Sequence, residues 1–493
     1  MTSPSAPAAP GFDRRWLILG VTSLGTFMSI LDTTILNVAL PNILRDFNAD
    51  LKEGHLILSV YLLALALVIP LSGYCTDRFG MKRTYMVTLF AFTAGSALCG
   101  FSWNEGSLIG FRALQGLGGG MLQPISMALV YTTITPLERG RFMPVLGLPM
   151  LLAPILGPTI GGYMVDYASW RWIFFLNLPV GILNLALAWY FLKESPRKTG
   201  VGLDVKGLAL ATLAFPALLI GLSMGQQTSW LAPLVLGLFA FAVPAIVLLF
   251  IVESRHAAPL LRVQLFKARM FTLGMGLQFT GQFSLFGLQF LMPLYFQTGY
   301  GLSASHTGLL LLPAGIAAFI AVNFTGRYYN RFGPKVFTFA GSIILMGVTL
   351  AFGMLTPTTP TFVLGILATA RGVALGLAML SIQTAMFNAI PRDSVTRATV
   401  LTQMGFRIFG SMSVALLTTS LAISLTAHGA PAGSSIIEGT APTAFVFDAF
   451  RDTFLALSAL AVAGACLSLF IRDKALDDLR AERAKPTPAA DSG

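Results

Sequence analysis

What most constrains this chain is a rhythm of charge-poor, apolar stretches, each about 20 residues long, that runs from Trp16 to about residue 472. A helix needs about 20 such residues to cross roughly 30 Å of hydrocarbon, where only helices and closed barrels satisfy their own backbone groups. Fourteen stretches can be marked, beginning near 16, 54, 84, 106, 142, 172, 205, 231, 270, 305, 336, 361, 399 and 449. The seventh and eighth could also be read as one re-entrant pair, so the working number is twelve plus two. Only 11% of the residues are charged and 55% are hydrophobic, whereas a soluble domain carries about 25% charged residues. The sequence therefore predicts an all-α integral membrane protein.

Lys and Arg of short loops stay on the cytoplasmic side. With the N-terminus inside, 25 of the 32 basic residues fall on inner segments; Arg45, Lys52, Arg171 and Arg451 lie outside, and Arg112, Arg371 and Arg407 fall within spans. Both termini are expected in the cytoplasm, across a bacterial cytoplasmic (inner) membrane. The net charge of +11 then reflects topology and attraction to anionic membrane lipids, which weakens a nucleic-acid reading. The polar ends, 1–15 and 473–493, read as cytoplasmic tails. Cys75, Cys99 and Cys466 sit in an inner loop and two spans, where no disulfide is expected.

The chain also resembles itself. "GYCTDRFGMKR" from Gly73 recurs as "GRYYNRFGPK" from Gly326, an offset of 253; "RALQGLGGGM" from Arg112 recurs as "RGVALGLAML" from Arg371, an offset of 259; Pro41 meets Pro293 at 252. Transporter folds are often built from duplicated halves. Two pseudo-symmetric six-helix bundles, 16–192 and 270–472, are expected, with 193–269 as a linker carrying two extra helices.

Each notable motif has a plain reading beside a functional one. In span one, Asp32 shares a polar arc with Thr22, Gly25, Thr26, Ser29 and Thr33. A carboxylate at mid-membrane is disfavoured by roughly 2.5 to 3.5 kcal/mol on insertion scales, so it calls for a water-filled cavity, with a local structural bond as the plainer account. Gly73, Asp77, Arg78, Gly80, Lys82 and Arg83 form a tight inner turn whose charges can hold neighbouring spans in one conformation, beyond merely setting topology. In span four, Arg112, Gln115, Gly116, Gly119, Gln123 and Ser126 share one arc; the arginine must face the bundle interior, for coupling or as a clasp. Pro154, Gly157, Pro158, Gly161 and Gly162 concentrate helix-weakening residues in span five and suggest a hinge. In span nine, Gln278, Gln282 and Gln289 form an amide row beside Phe283 and Phe286, suited to a wet cavity for amphiphiles or to helix-helix hydrogen bonding. Arg371 and Arg407 are divided between site and clasp.

No phosphate-binding G-x-x-x-x-G-K-[ST] loop is present, which removes ATP hydrolysis as an energy source. "GLSMG" at 221–225 matches the hydrolase pattern but closes an apolar span. Four scattered histidines and no acidic cluster argue against a metal, so no cofactor and no enzymatic activity are expected.

Two halves carrying "GYCTDRFGMKR", "RALQGLGGG" and "PILGPTIGG" resemble the major facilitator superfamily. "LDTTILNVALP", "WRWIFFLNLP" and two extra spans are similar, more narrowly, to the fourteen-helix drug:proton antiporters of the EmrB/QacA type, over roughly residues 14 to 472. The resemblance implies that Asp32 handles protons and cationic drugs, that Arg112 serves proton coupling, and that Pro154 through Gly162 mark an antiporter. Asn330 stands where the first loop has Asp77, so the second gate should be electrostatically weaker. The expected function is proton-driven export of amphiphilic, often cationic, compounds by alternating access, with protons as the coupling ion and Ser29, Thr33, Gln115, Gln123 and the span-nine row lining the cavity. Alternatives are an exporter of lipid, siderophore or an endogenous metabolite, and a non-transporting membrane sensor, which has no need to bury charge. A periplasmic adaptor is a further candidate partner, although the outer loop at about 426–447 carries no recognisable docking signal.

Overall fold

The computed structural model describes residues 14–48, 51–135, 138, 142, 145, 147, 152–153, 156–157, 160–165, 167–197, 202, 204–227, 229–256, 259–431, 436 and 443–472. Nearly all of them are helical. Span one is Arg14–Phe47; span two is Leu51–Val68 continued by Leu71–Phe79 after a 51° bend. Span three is Met81–Gly100, and span four is Glu105–Gly119 continued by Leu122–Thr133. Span five falls on the partly described stretch from Phe142 to Tyr167, and span six is Asn177–Phe191 after a short turn, Trp172–Phe175. The insert consists of spans seven, Val205–Gln227, and eight, Pro233–Arg255. Spans nine to fourteen are Arg269–Thr298, Ala304–Phe332, Pro334–Gly353, Thr361–Asn388, Val395–Ala427 and Thr443–Ser468. Among the described residues, nine helices are long and apolar enough to cross a membrane by themselves, and the bent pair makes ten.

The breaks follow local chemistry. Gly80 has φ of 91°, a conformation glycine adopts without cost, and an added Cβ there would lie 2.1 Å from a Glu194 carboxylate oxygen. Asn104 and Ser107 form a capping box that starts span four. Pro233 and Pro334 occupy first-turn positions, where a missing N–H is harmless.

Glycine contacts fix the register of the repeat. A Cβ on Gly116 or Gly120 of span four would meet the Tyr61 and Leu65 carbonyl oxygens of span two, at 2.7 and 2.4 Å. Gly372 and Gly376 of span twelve press in the same way on Ala314 and Ala318 of span ten, at 2.1 and 2.6 Å. The span-two-to-ten offset is thus 253, as the loop motifs indicate, but the span-four-to-twelve offset is 256. The sequence match at 259 is one helical turn out of register. In space Arg371 takes the place of Gln115, and Ala368 that of Arg112.

Packing differs between the two ends of the molecule. At the end carrying the basic loops, one apolar core joins both halves: Tyr131, Ile134 and Phe142 share it with Phe387, Ile390, Val395 and Leu401, and the Tyr131 and Phe387 rings stack at 4.2 Å. At the other end the cores are separate, one around Leu36, Ile43, Ile57 and Phe174, the other around Tyr295, Phe296, Phe352 and Phe454. The halves are closed against each other at the basic face. Span seven packs on spans two and thirteen and so leans on both halves. Its first turn is capped by Asp204, which accepts from the Gly207 amide at 2.8 Å.

Candidate functional site

Asp32 is at the centre of a buried polar cluster drawn from five spans. Its Oδ2 accepts from Arg112 Nη1 at 2.6 Å; its Oδ1 accepts from Gln115 Nε2 at 2.8 Å and Asn177 Nδ2 at 3.0 Å. Arg112 also donates to Gln115 Oε1 at 2.8 Å, a contact its three-residue spacing allows. Asn177 further donates to Ser96 Oγ at 3.0 Å, and Ser96 donates to the Phe174 carbonyl. The Arg112 guanidinium lies 3.8 Å from the centroid of the Tyr61 ring, a cation-π contact strengthened by desolvation. The Arg112 and Asp32 side chains are 1% and 2% exposed. Removing one partner of such a pair leaves an uncompensated buried charge, at a cost of about 3 to 5 kcal/mol.

This geometry corrects the expected orientation of span one. Asp32 faces spans three, four and six of its own half, not a cavity between the halves. Thr22, Thr26 and Thr33 bond carbonyls of their own helix, and Ser29 is buried. Gln115, expected to line the cavity, is fully buried and belongs to the Asp32 cluster; Gln123 is half-buried in span four. Tyr61, Ser96 and Asn177 were not among the expected site residues. Asn177 was visible only as one amide within "WRWIFFLNLP".

The loop from Gly73 to Arg83 is also wired differently from the expected local network. Asp77 reaches across the molecule to Arg397 of span thirteen at 3.0 Å, both side chains being about 15% exposed or less. Lys82 instead donates to the Trp189 carbonyl and sits over its ring, and Arg83 pairs with Glu194 at 3.7 Å. The acid therefore joins the two halves, while the bases tie the loop to the end of span six. Gly73 lies against Arg397 and the Leu260 carbonyl.

The match to the Major Facilitator Superfamily model covers residues 22–415. The chain belongs to the major facilitator superfamily. A multidrug resistance protein B homolog of Mycobacterium tuberculosis is 32% identical over 82% of this chain and 75% of its own length. The putative multidrug resistance protein MdtD of Escherichia coli O17:K52:H18 is 30% identical over 90% of this chain and 92% of its own. A solved double-tryptophan XylE mutant, 13% identical, superposes with a TM-score of 0.64 over 95% of this chain and 98% of that one, which shows the fold. The protein is thus a multi-pass membrane transporter of small substrates and not an enzyme.

Within this superfamily frame the remaining expected residues separate. Pro154 and Pro158 lie outside the described residues. Gly157 and Gly161 press on Thr34 and Ile35 of span one, a Cβ at Gly157 falling 2.2 Å from Thr34 Oγ1, whereas Gly162 faces open space. The span-five motif thus seats directly beyond Asp32. The amide row does not act as one surface. Gln278 donates to the Thr402 carbonyl at 2.9 Å, a helix-helix bond, and Gln289 is exposed. Gln278, Gln282 and Gln383 line a narrow cavity of about 50 Å³ within the second half, large enough for water. Phe283 is in the apolar core, and Phe286 meets Phe406 at 5.4 Å.

Proposed function

We propose that this transporter is a proton-driven antiporter exporting amphiphilic compounds by alternating access, with the basic face in the cytoplasm and the two six-helix halves rocking about the Asp32 level. The observation that carries the reading is the Asp32–Arg112 pair, an ionisable couple buried at mid-depth. Protonation of Asp32 removes the charge that holds Arg112, so the hydrogen bonds from Gln115 and Asn177 lose their ionic acceptor. Spans one, three, four and six are then free to shift against each other. Span five follows span one through the Gly157–Thr34 contact.

Closure at the basic face, pinned by Asp77–Arg397, leaves the opposite face as the side from which a proton arrives. One elementary charge moved inward yields about 2.3 kcal/mol per 100 mV, and each unit of pH difference adds about 1.4 kcal/mol. That supports export against concentration ratios of tens to hundreds per proton. A non-transporting sensor is disfavoured by the superfamily match over residues 22–415 and by relatives named as multidrug resistance proteins. Proteoliposomes loaded with a pH-sensitive dye test the reading against a panel of amphiphiles. An imposed pH gradient should drive substrate movement in wild type and fail to do so in Asp32→Asn; equal gradient-driven transport in both would refute the coupling role.

A further inference from the structure

The charges at mid-depth do not balance. Asp32 is the acidic residue at that level, and it is consumed by Arg112. Two further arginines lie in the second half. Arg371 of span twelve is 8% exposed; among the described residues its one hydrogen bond runs from Nη2 to the Leu285 carbonyl at 2.8 Å, and its Nε meets no acceptor. Among the described residues, the Arg407 guanidinium of span thirteen meets no carboxylate and no acceptor, and its Nε is likewise buried and unpartnered.

Both flank span nine at one level. Arg371 binds the carbonyl of Leu285, while the neighbours of Arg407 on its own helix, Phe406 and Gly410, pack on Phe286. Arg407 also reaches electrostatically to Tyr61, the ring that carries Arg112 on its face. Span thirteen, which carries it, also packs on the second part of span four in the first half. Guanidinium groups are built for bidentate pairing with carboxylate, sulfonate or phosphate, and an intramembrane cation with no internal counter-ion needs one from elsewhere.

We infer that Arg371 and Arg407 form the headgroup site for an anionic amphiphile, so that the exported substrate carries negative charge and not the positive charge expected from the sequence. This rests on the transporter reading and supplies the substrate class of that same site. Export of an anion against an entering proton moves charge in the favourable direction on both legs.

Equilibrium binding to the full-length protein in detergent, with taurocholate, anilinonaphthalene sulfonate and lysophosphatidate against tetraphenylphosphonium and ethidium, tests this separately from proton coupling. Wild type should bind at least one anion and discriminate against the cations. Arg407→Gln, which removes no hydrogen bond of the fold, should weaken anion binding roughly tenfold or more, with Arg407→Lys recovering part of it. Arg371→Gln should weaken it similarly, and Arg407→Glu should shift preference toward the cations. Binding of cations alone, or of no anion, or anion affinity unchanged in Arg407→Gln, overturns the inference. Anion binding with these losses but without gradient-driven transport would uphold the site and sink the antiport reading alone.

Discussion

The two halves solve the same problem in opposite ways. In the first, a buried arginine has a carboxylate: Arg112 pairs with Asp32, donates to Gln115 and lies on the Tyr61 face, although its Nε also meets no acceptor. In the second, the spatial counterpart of Gln115 is Arg371, held by a single carbonyl, and the counterpart of Asp32 by the span-one offset is Ser284. Duplication preserved the helix-packing glycines and let the polar residues diverge. One half stores a titratable ion pair; the other presents unpaired positive charge. On the function proposed above, the two halves provide separate places for proton and substrate.

Breaking the ion-paired side should have the largest effect. Arg112→Gln strands Asp32 without its cation, and detergent-solubilised protein should lose about 3 to 5 kcal/mol of stability, seen as a lowered melting temperature. The double variant with Asp32→Asn should recover part of that loss, since no uncompensated charge remains; equal melting of single and double variants would show that the two residues do not depend on each other. Arg371→Gln, removing one bond to a carbonyl, should cost far less, about 1 to 3 kcal/mol.

The packing shared by both halves sharpens the comparison from the other side. Gly116→Ala and Gly372→Ala each force a methyl onto a facing backbone carbonyl, and each should cost about 1 to 3 kcal/mol, whereas Gly162→Ala, facing open space, should be neutral. If Gly372→Ala proved harmless while Gly116→Ala did not, the 256-residue register would be wrong.

A smaller effect is expected at the joint between the halves. Asp77→Asn removes a largely buried ion pair across the basic face, worth about 1 kcal/mol or more, and should raise the population open at that face about fivefold. Labelling of single cysteines placed there would report it. The smallest effect belongs to Asp46 at the other face, whose pKa is lowered by hydrogen bonds from Arg171 and Trp170. A depressed carboxyl contributes stability above its unfolded pKa and loses it as pH falls through its folded value, so Asp46→Asn should flatten a shallow decline on the acid side, visible in a melting series from pH 6 to about pH 3.

Much of this was legible in the residues. Stretches without charge mark the helices because hydrocarbon tolerates little else; Asp32 and Arg112 stand out because charge there is costly, and Asp77 because it is an acid among bases in a glycine-flanked turn. The register of span twelve was not legible, since "RGVALGLAML" offers small residues at two alignments one turn apart and only the facing carbonyls choose between them. Asn177 and Ser96 look like ordinary packing residues until Asp32 turns toward them. Arg397 lies 320 residues from Asp77, and no local pattern announces that partnership. The direction of the span-one stripe was misjudged for a related reason: periodicity defines a face but not which neighbour the face meets.

The account turns on Asp32 giving up a proton as substrate binds. Mixing an anionic amphiphile with the detergent-solubilised transporter in weak buffer and reading the pH change measures this directly. Wild type should release about one proton per molecule as ligand binds, and Asp32→Asn should release none while still binding ligand. Undiminished release from Asp32→Asn would contradict the account and place the coupling proton on another group.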